Sequence, residues 1–179
     1  SSLNYITFFP LFSAGPIENN KIFYKKNFHF SFNLNFFFYG NFRLLLGLFK
    51  SIFICDQIIK PFYLSTWPLM EIAPLNYNWF DVYTYIFFRF IYTYINFSAY
   101  CDIAIGTSAM FGFKIRENFN YPFLATSIQD FWRRWHLTLG TWITQYLYFP
   151  LLARFRGKFS YIYASIITFL IIIILGLEN

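Results

Sequence analysis

Residues 159–177 form an uninterrupted run of nineteen uncharged residues, the longest apolar stretch in the chain. As a helix it would rise about 28 Å, close to the roughly 30 Å hydrocarbon core of a bilayer. Arg154, Arg156 and Lys158 precede it directly, which predicts a cytoplasmic N-terminal end by the positive-inside rule. Two further spans are predicted over about 80–100 and about 42–59. The first is rich in Tyr, Phe and Ile, with Arg89 in its middle and Asp81 and Asp102 at its ends. The second carries Arg43 at its start and Lys50 and Asp56 inside. Ionisable groups are costly in lipid, so these side chains are expected to face protein or a water-filled cavity. Between the two spans, residues 60–77 contain Pro61, Pro68 and Pro74 and read as a loop or a broken interfacial segment.

The pattern changes over residues 102–150. Short apolar pieces alternate with polar ones, none long enough to span, and Gly106, Gly112, Pro122 and Gly140 interrupt them. Such a region between spans suggests re-entrant or interfacial helices lining a cavity, where a membrane enzyme would keep its chemistry. One segment differs. Phe28, Phe30, Phe32, Leu34 and Phe36 alternate with His29, Ser31, Asn33 and Asn35, the period of a half-buried or barrel strand. A barrel would repeat that alternation throughout, and the run at 159–177 contradicts it. The segment therefore reads as a loop or an amphipathic approach to the next helix.

Composition narrows the class. Hydrophobic residues make up 58%, aromatic residues 27% and charged residues 12% of the 179. A soluble domain has about 45–50% apolar and about 25% charged residues. Disorder is excluded by the aromatic content, and a disulfide scaffold by the presence of only Cys55 and Cys101, each in an apolar stretch. The net charge of +6 comes from short basic clusters beside apolar runs, such as Lys21, Lys25 and Lys26. Those read as membrane-flanking anchors, and nucleic acid is not expected as a partner. The chain opens Ser-Ser-Leu without the basic and apolar regions of a signal peptide, and both ends read as cut.

The candidate chemistry lies in Gln129-Asp130-Phe131-Trp132-Arg133-Arg134-Trp135-His136. On a continuous helix Gln129, Trp132, Arg133, His136 and Gly140 would share one side, with Asp130 able to pair with Arg133 or Arg134. A neutral imidazole can take a proton from a hydroxyl, because its ordinary pKa of about 6.5 lies near working pH. A neighbouring guanidinium would keep the ring neutral, and could itself hold a phosphate or an oxyanion. Interfacial anchoring is the structural alternative for the same Trp and Arg residues. His29 has no charged partner nearby and reads as an exposed loop histidine. Two distant His and two distant Cys give no metal-ligand spacing, so no metal is expected. Glycine-rich phosphate loops and a Gly-x-Ser-x-Gly elbow are absent.

Several blocks carry a family resemblance. Phe-Ser-Ala-Tyr-Cys-Asp-Ile-Ala-Ile-Gly (97–106), Phe-Gly-Phe-Lys-Ile-Arg-Glu-Asn-Phe-Asn-Tyr-Pro-Phe (111–123) and Ser-Ile-Gln-Asp-Phe-Trp-Arg-Arg-Trp-His (127–136) occur in that order. They are followed by Trp142 and Tyr148-Phe149-Pro150, and preceded by Phe-Phe-Pro-Leu-Phe-Ser-Ala-Gly-Pro-Ile (8–17) and by the Gly-Leu-Phe-Lys and Cys-Asp of 44–57. Together they resemble the membrane-bound O-acyltransferases, in the branch of alginate O-acetyltransferases and teichoic-acid D-alanyl-transfer proteins. The likeness covers nearly the whole chain.

The resemblance implies an all-α, polytopic helical membrane protein of the inner membrane, forming one partial domain over 1–179. It implies transfer of an acyl group, acetyl being expected, to hydroxyls of an envelope polysaccharide such as alginate. The donor would be a thioester, acyl-CoA or an acyl carrier protein, with no bound cofactor. The lipid bilayer and other envelope-biosynthesis proteins are the further partners implied. His136 takes the place of the histidine in the family's Trp-His block, with Trp132, Arg133, Arg134, Trp135, Asp102 and Asn118 implied as substrate-binding. The chain also departs from the pattern. Asn96 stands where the branch often has Asp, and Ala99 where it often has Gly. The family's second and better-accepted catalytic histidine follows in a Gly-Leu-Trp-His-Gly element, whereas here Gly176-Leu177 leads to Glu178-Asn179. A truncated chain, inactive alone, is therefore expected. The other reading is a catalytically silent membrane subunit on the same scaffold that binds substrate or partners.

Overall fold

The computed structural model describes residues 16–17, 33–64, 78–155, 157 and 159–177. Among the described residues all regular structure is helical and there is no strand. The chain divides into two compact units, Ser1–Glu117 and Asn118–Asn179.

In the first unit, α1 (Leu34–Leu48) starts where the Asn33 side chain accepts hydrogen bonds from the backbone of Asn35 and Phe36, at 2.9 and 3.4 Å. Asn33, Leu34, Asn35 and Phe36 belong to the alternating stretch, so its C-terminal end is a helix start; residues 28–32 lie outside the described residues. The helix runs without a break into a π-helical stretch (Phe49–Ile59) and one further α turn, α2 (Lys60–Leu64). Pro61 therefore lies inside this continuous helix, just past the π-helical stretch, and contributes no N–H to it. The loop expected over 60–77 begins later than Lys60, and residues 65–77 lie outside the described residues.

The long element of this unit is α3 (Trp79–Met110), 32 residues. Asp81 in its first turn accepts from the Asn78 backbone N–H at 3.3 Å and complements the helix dipole. Its end is a Schellman motif: Phe113 N–H bonds Ser108 C=O at 2.8 Å, Gly112 N–H bonds Ala109 C=O at 2.9 Å, and Gly112 takes φ +80°. The irregular region thus begins at 111, not at Asp102. Gly106 does not interrupt the helix but lies buried near its C-terminal end, where it is a contact point with α1.

That contact is made by small residues spaced seven apart on both helices. A Cβ on Gly40 would sit 2.6 Å from the Gly106 carbonyl oxygen, and one on Gly47 would sit 2.7 Å from that of Ala99. Residues one heptad apart return to nearly the same face of a helix, so the two pairs make a continuous seam along which the backbones touch. Phe62 stacks on Phe88 with centroids 4.9 Å apart and ties α2 to the same helix.

The second unit opens with irregular chain and a single 3₁₀ turn (Pro122–Leu124). Short helices follow: α4 (Ile128–Trp132), α5 (Leu137–Ile143) with a π-helical continuation (Thr144–Tyr148), α6 (Phe149–Arg154) and α7 (Ser160–Leu177). α7 coincides with the longest apolar run. Among the described residues, no helix is long and apolar enough to cross a membrane.

Candidate active site

Residues 129–140 are not one continuous helix, so the condition for a shared side is not met. α4 stops at Trp132, and His136 takes φ +45° and ψ +55°, the left-handed region, before α5 begins. A non-glycine residue there costs about 1–2 kcal/mol, so the surrounding bonds must hold it. His136 is consequently not one helical turn from Trp132 and Arg133.

Two backbone hydrogen bonds clamp this corner. Asn120 N–H donates to Arg134 C=O at 2.9 Å, and Leu137 N–H donates to Asn118 C=O at 2.8 Å. The side chain of Asn118 adds a second layer: its Oδ1 accepts from Thr138 Oγ1 at 2.9 Å and from Thr138 N–H at 3.3 Å. These bonds satisfy donors that a helix N-terminus leaves without intrahelical partners. Asn118 is 0% exposed and Thr138 is 2% exposed, so both are structural parts of the corner. Tyr121 is also left-handed, at φ +45°, and turns the chain into the 3₁₀ helix.

His136 caps α5 itself. Its Nδ1 lies 3.4 Å from the Leu139 backbone N, which turns that edge of the ring back toward the helix. Aromatic residues pack around the ring. Phe119 meets Trp135 edge-on at 5.2 Å and lies 6.5 Å from the imidazole, while Phe131 stacks on Trp135 at 5.5 Å. Burial lowers the pKa of His136 below its ordinary value, against a smaller opposing effect from a hydrogen bond to its own backbone. A guanidinium is not the cause, contrary to the sequence expectation; the neutral ring follows from desolvation.

The remaining predicted residues divide. Arg134 Nε donates to Asp130 Oδ2 at 2.9 Å and Nη1 reaches the Asn120 carbonyl at 3.5 Å, so of the two candidate partners for Asp130 the structure pairs Arg134. Ser127 caps α4 by accepting from Asp130 N–H at 3.1 Å. Trp132, 64% exposed, and Arg133, also exposed, lie at the end of α4. An open cleft of about 440 Å³ lies between the 3₁₀ turn and α4, with Phe123, Ile128, Phe131 and Trp132 in its lining; His136 does not line it.

Asp102 lies in the first unit, in the C-terminal third of α3, and is 4% exposed. One carboxylate oxygen pairs with Arg43 and the other accepts from Lys50 Nζ at 2.6 Å, while Lys50 also donates to Ser98 Oγ at 3.0 Å. Arg43 in turn makes a bidentate pair with Glu117, both bonds 2.9 Å. Two cations thus meet two carboxylates, Arg43 and Lys50 against Asp102 and Glu117. The expectation that Arg43 and Lys50 face protein is met. Asp56 instead lies at the surface, 3.5 Å from Lys60.

The corner brings together His136, Trp135 and Asn118 of the predicted set and adds Phe119 and Thr138, which sequence reading missed. The signal for Thr138 was slight: a small polar residue two positions after the histidine, in an otherwise apolar run.

Residues 1–173 match the membrane-bound O-acyltransferase family. The chain belongs to that family. Among its relatives are a peptidoglycan O-acetyltransferase of Helicobacter pylori, 36% identical over 82% of this chain and 28% of that protein, and a "Probable alginate O-acetylase" of Azotobacter vinelandii, 34% identical over 82% and 28%. A teichoic acid D-alanyltransferase of Bacillus subtilis is 31% identical over 82% of this chain and 36% of that protein. The chain therefore spans roughly a third or less of the length of these membrane-bound O-acyltransferase relatives.

Proposed function

We propose that this chain is the site-bearing part of a multi-pass inner-membrane O-acyltransferase. It moves an acyl group, acetyl by preference, from a thioester donor (acyl-CoA or an acyl carrier protein) to hydroxyls of an envelope polysaccharide such as alginate. Membership of the family and the names of the relatives support the reaction class. The spans assigned to the bilayer are about 42–59, 80–100 and 159–177, with interfacial helices between, in one domain continued by further chain. As a helix, α3 would measure about 48 Å, so it would extend beyond the hydrocarbon core or cross it at a tilt.

The observation that carries the reading is His136: a half-buried histidine whose pKa is lowered by desolvation, held by its backbone at a left-handed corner. In the transfer, Nε2 takes the proton of the acceptor hydroxyl as its oxygen attacks the thioester carbonyl. The tetrahedral oxyanion collapses, the C–S bond breaks, and the thiolate leaves and is protonated. Arg133 stabilises the oxyanion or holds a donor phosphate, and Trp132, Arg134 and Trp135 border the substrate.

The test is His136→Asn in the full-length protein. Asn tolerates the left-handed backbone and can still cap α5, but it supplies no base near neutral pH. Transfer of labelled acetyl to polymer should fall by about 10²–10⁴-fold. A wild-type rate would overturn the assignment.

A further inference from the structure

We propose that Asn118 and Thr138 are a positioning pair that holds His136 at its left-handed corner and so aims its imidazole, without touching substrate. The inference rests on the acyltransferase reading of His136, but its geometry stands alone. Asn118 offers three acceptor contacts to the two residues that follow His136: its carbonyl to Leu137 N–H, and its Oδ1 to Thr138 N–H and Oγ1. Residues 137 and 138 are thereby fixed on one side of the histidine. On the other side, Arg134 C=O is fixed by Asn120 N–H. The backbone at 136 is left no freedom to relax from a conformation that histidine disfavours. Asn118 and Thr138 are both nearly inaccessible, so their polar atoms are spent on each other and on the corner. Phe119, between the two anchoring asparagines, carries its ring to Trp135 and His136, so the same backbone clamp also sets the packing around the imidazole.

The decisive change is Thr138→Val, which keeps the shape and removes the hydroxyl. Thr138→Ser keeps the hydroxyl and serves as the rescue. Both are made in the full-length, membrane-embedded protein, alone and with His136→Asn. The two readouts are kcat and KM for acyl transfer, and the rate at which diethylpyrocarbonate labels His136, followed by mass spectrometry. Thr138→Val should lower kcat by about tenfold or more with KM within about twofold, as expected for a misaimed group. Thr138→Ser should recover most of the rate, and in the His136→Asn background Thr138→Val should cost nothing further. The labelling rate of His136 should rise by about threefold or more in Thr138→Val alone, as the ring escapes its packed site. Losses that multiply in the double variant, or an unchanged labelling rate, would overturn the proposal. If His136→Asn leaves no measurable rate, labelling alone decides. If Thr138→Val does not accumulate, Thr138→Ala replaces it under the same thresholds. A wild-type rate for His136→Asn would instead sink the catalytic reading, while labelling still decides whether the pair positions the ring.

Discussion

Gly40 of α1 and Gly106 of α3 approach so closely that a Cβ on either would lie 2.6 Å from the other's carbonyl oxygen. Real Cβ atoms essentially never come that near, so the two helices can keep this separation only with glycine at both positions. The charged pairs depend on the same approach, since Arg43 and Lys50 on one side of the seam reach Asp102 on the other.

Gly106→Ala should therefore destabilise the protein by about 1–3 kcal/mol, the range for forcing volume into a packed contact. Gly140→Ala is the contrast. That glycine is inside α5 with nothing within 4 Å of an added Cβ, so the change should be neutral or stabilise by up to about 1 kcal/mol. Thermal unfolding of the two purified variants checks both signs; equal behaviour would remove the seam from the account.

Asp102→Ala leaves Arg43 and Lys50 facing each other around a vacated carboxylate site. Breaking a buried pair in this way costs about 3–5 kcal/mol. Lys50→Met should cost clearly less, because Asp102 keeps Arg43 and only the half-buried amine is lost. Denaturant midpoints, or folded yield in membranes, should rank wild type above Lys50→Met above Asp102→Ala.

The lowered pKa of His136 gives a pH dependence of definite sign. Its folded-state value is below that of the unfolded chain, so folding favours the neutral ring. That contribution is fully present above about 6.5 and is lost as pH falls through the folded-state value. Between pH 8 and 5 the wild type should lose more thermal stability than His136→Asn. For the same reason the acid limb of kcat/KM should fall below about 6.5, not above it.

Arg133 and Arg134 are neighbours with different surroundings. Arg134→Ala removes the bond to Asp130 and the contact with Asn120, and should lower stability by about 0.5–1 kcal/mol. Arg133 is exposed, so Arg133→Ala should change stability by less than about 0.5 kcal/mol while raising KM for the donor. Unfolding and donor titration on the same two variants separate the roles.

Helical elements were legible wherever composition was extreme: the uncharged run is α7, and the two mixed stretches lie inside α1 with its extensions and inside α3. The reading failed where one residue type serves two purposes. Gly112 and Gly106 look alike in sequence, yet the first ends a helix by adopting a positive φ and the second permits a helix contact; only the partner helix distinguishes them. Asp102 marks the end of the apolar stretch in sequence, yet α3 continues past it, because two cations from α1 and its π-helical extension meet the carboxylate there. For the Trp-Arg-Arg-Trp-His block, spacing says only which residues would share a side if the segment were one helix. No local propensity forces a histidine into the left-handed region; the break at His136 comes from hydrogen bonds to residues about twenty positions earlier.

The left-handed corner also limits what variation can do at position 136. A β-branched side chain there would strain the turn whatever its chemistry, whereas Asn, Asp, Gly and His are the residues that enter this region most readily. Substitutions that survive folding are thus drawn from a short list, and most of that list can still form a hydrogen bond at the same point in space. The backbone filters the residue before catalysis selects it, so any diversification of chemistry at this corner is steered toward small polar side chains in place of the imidazole.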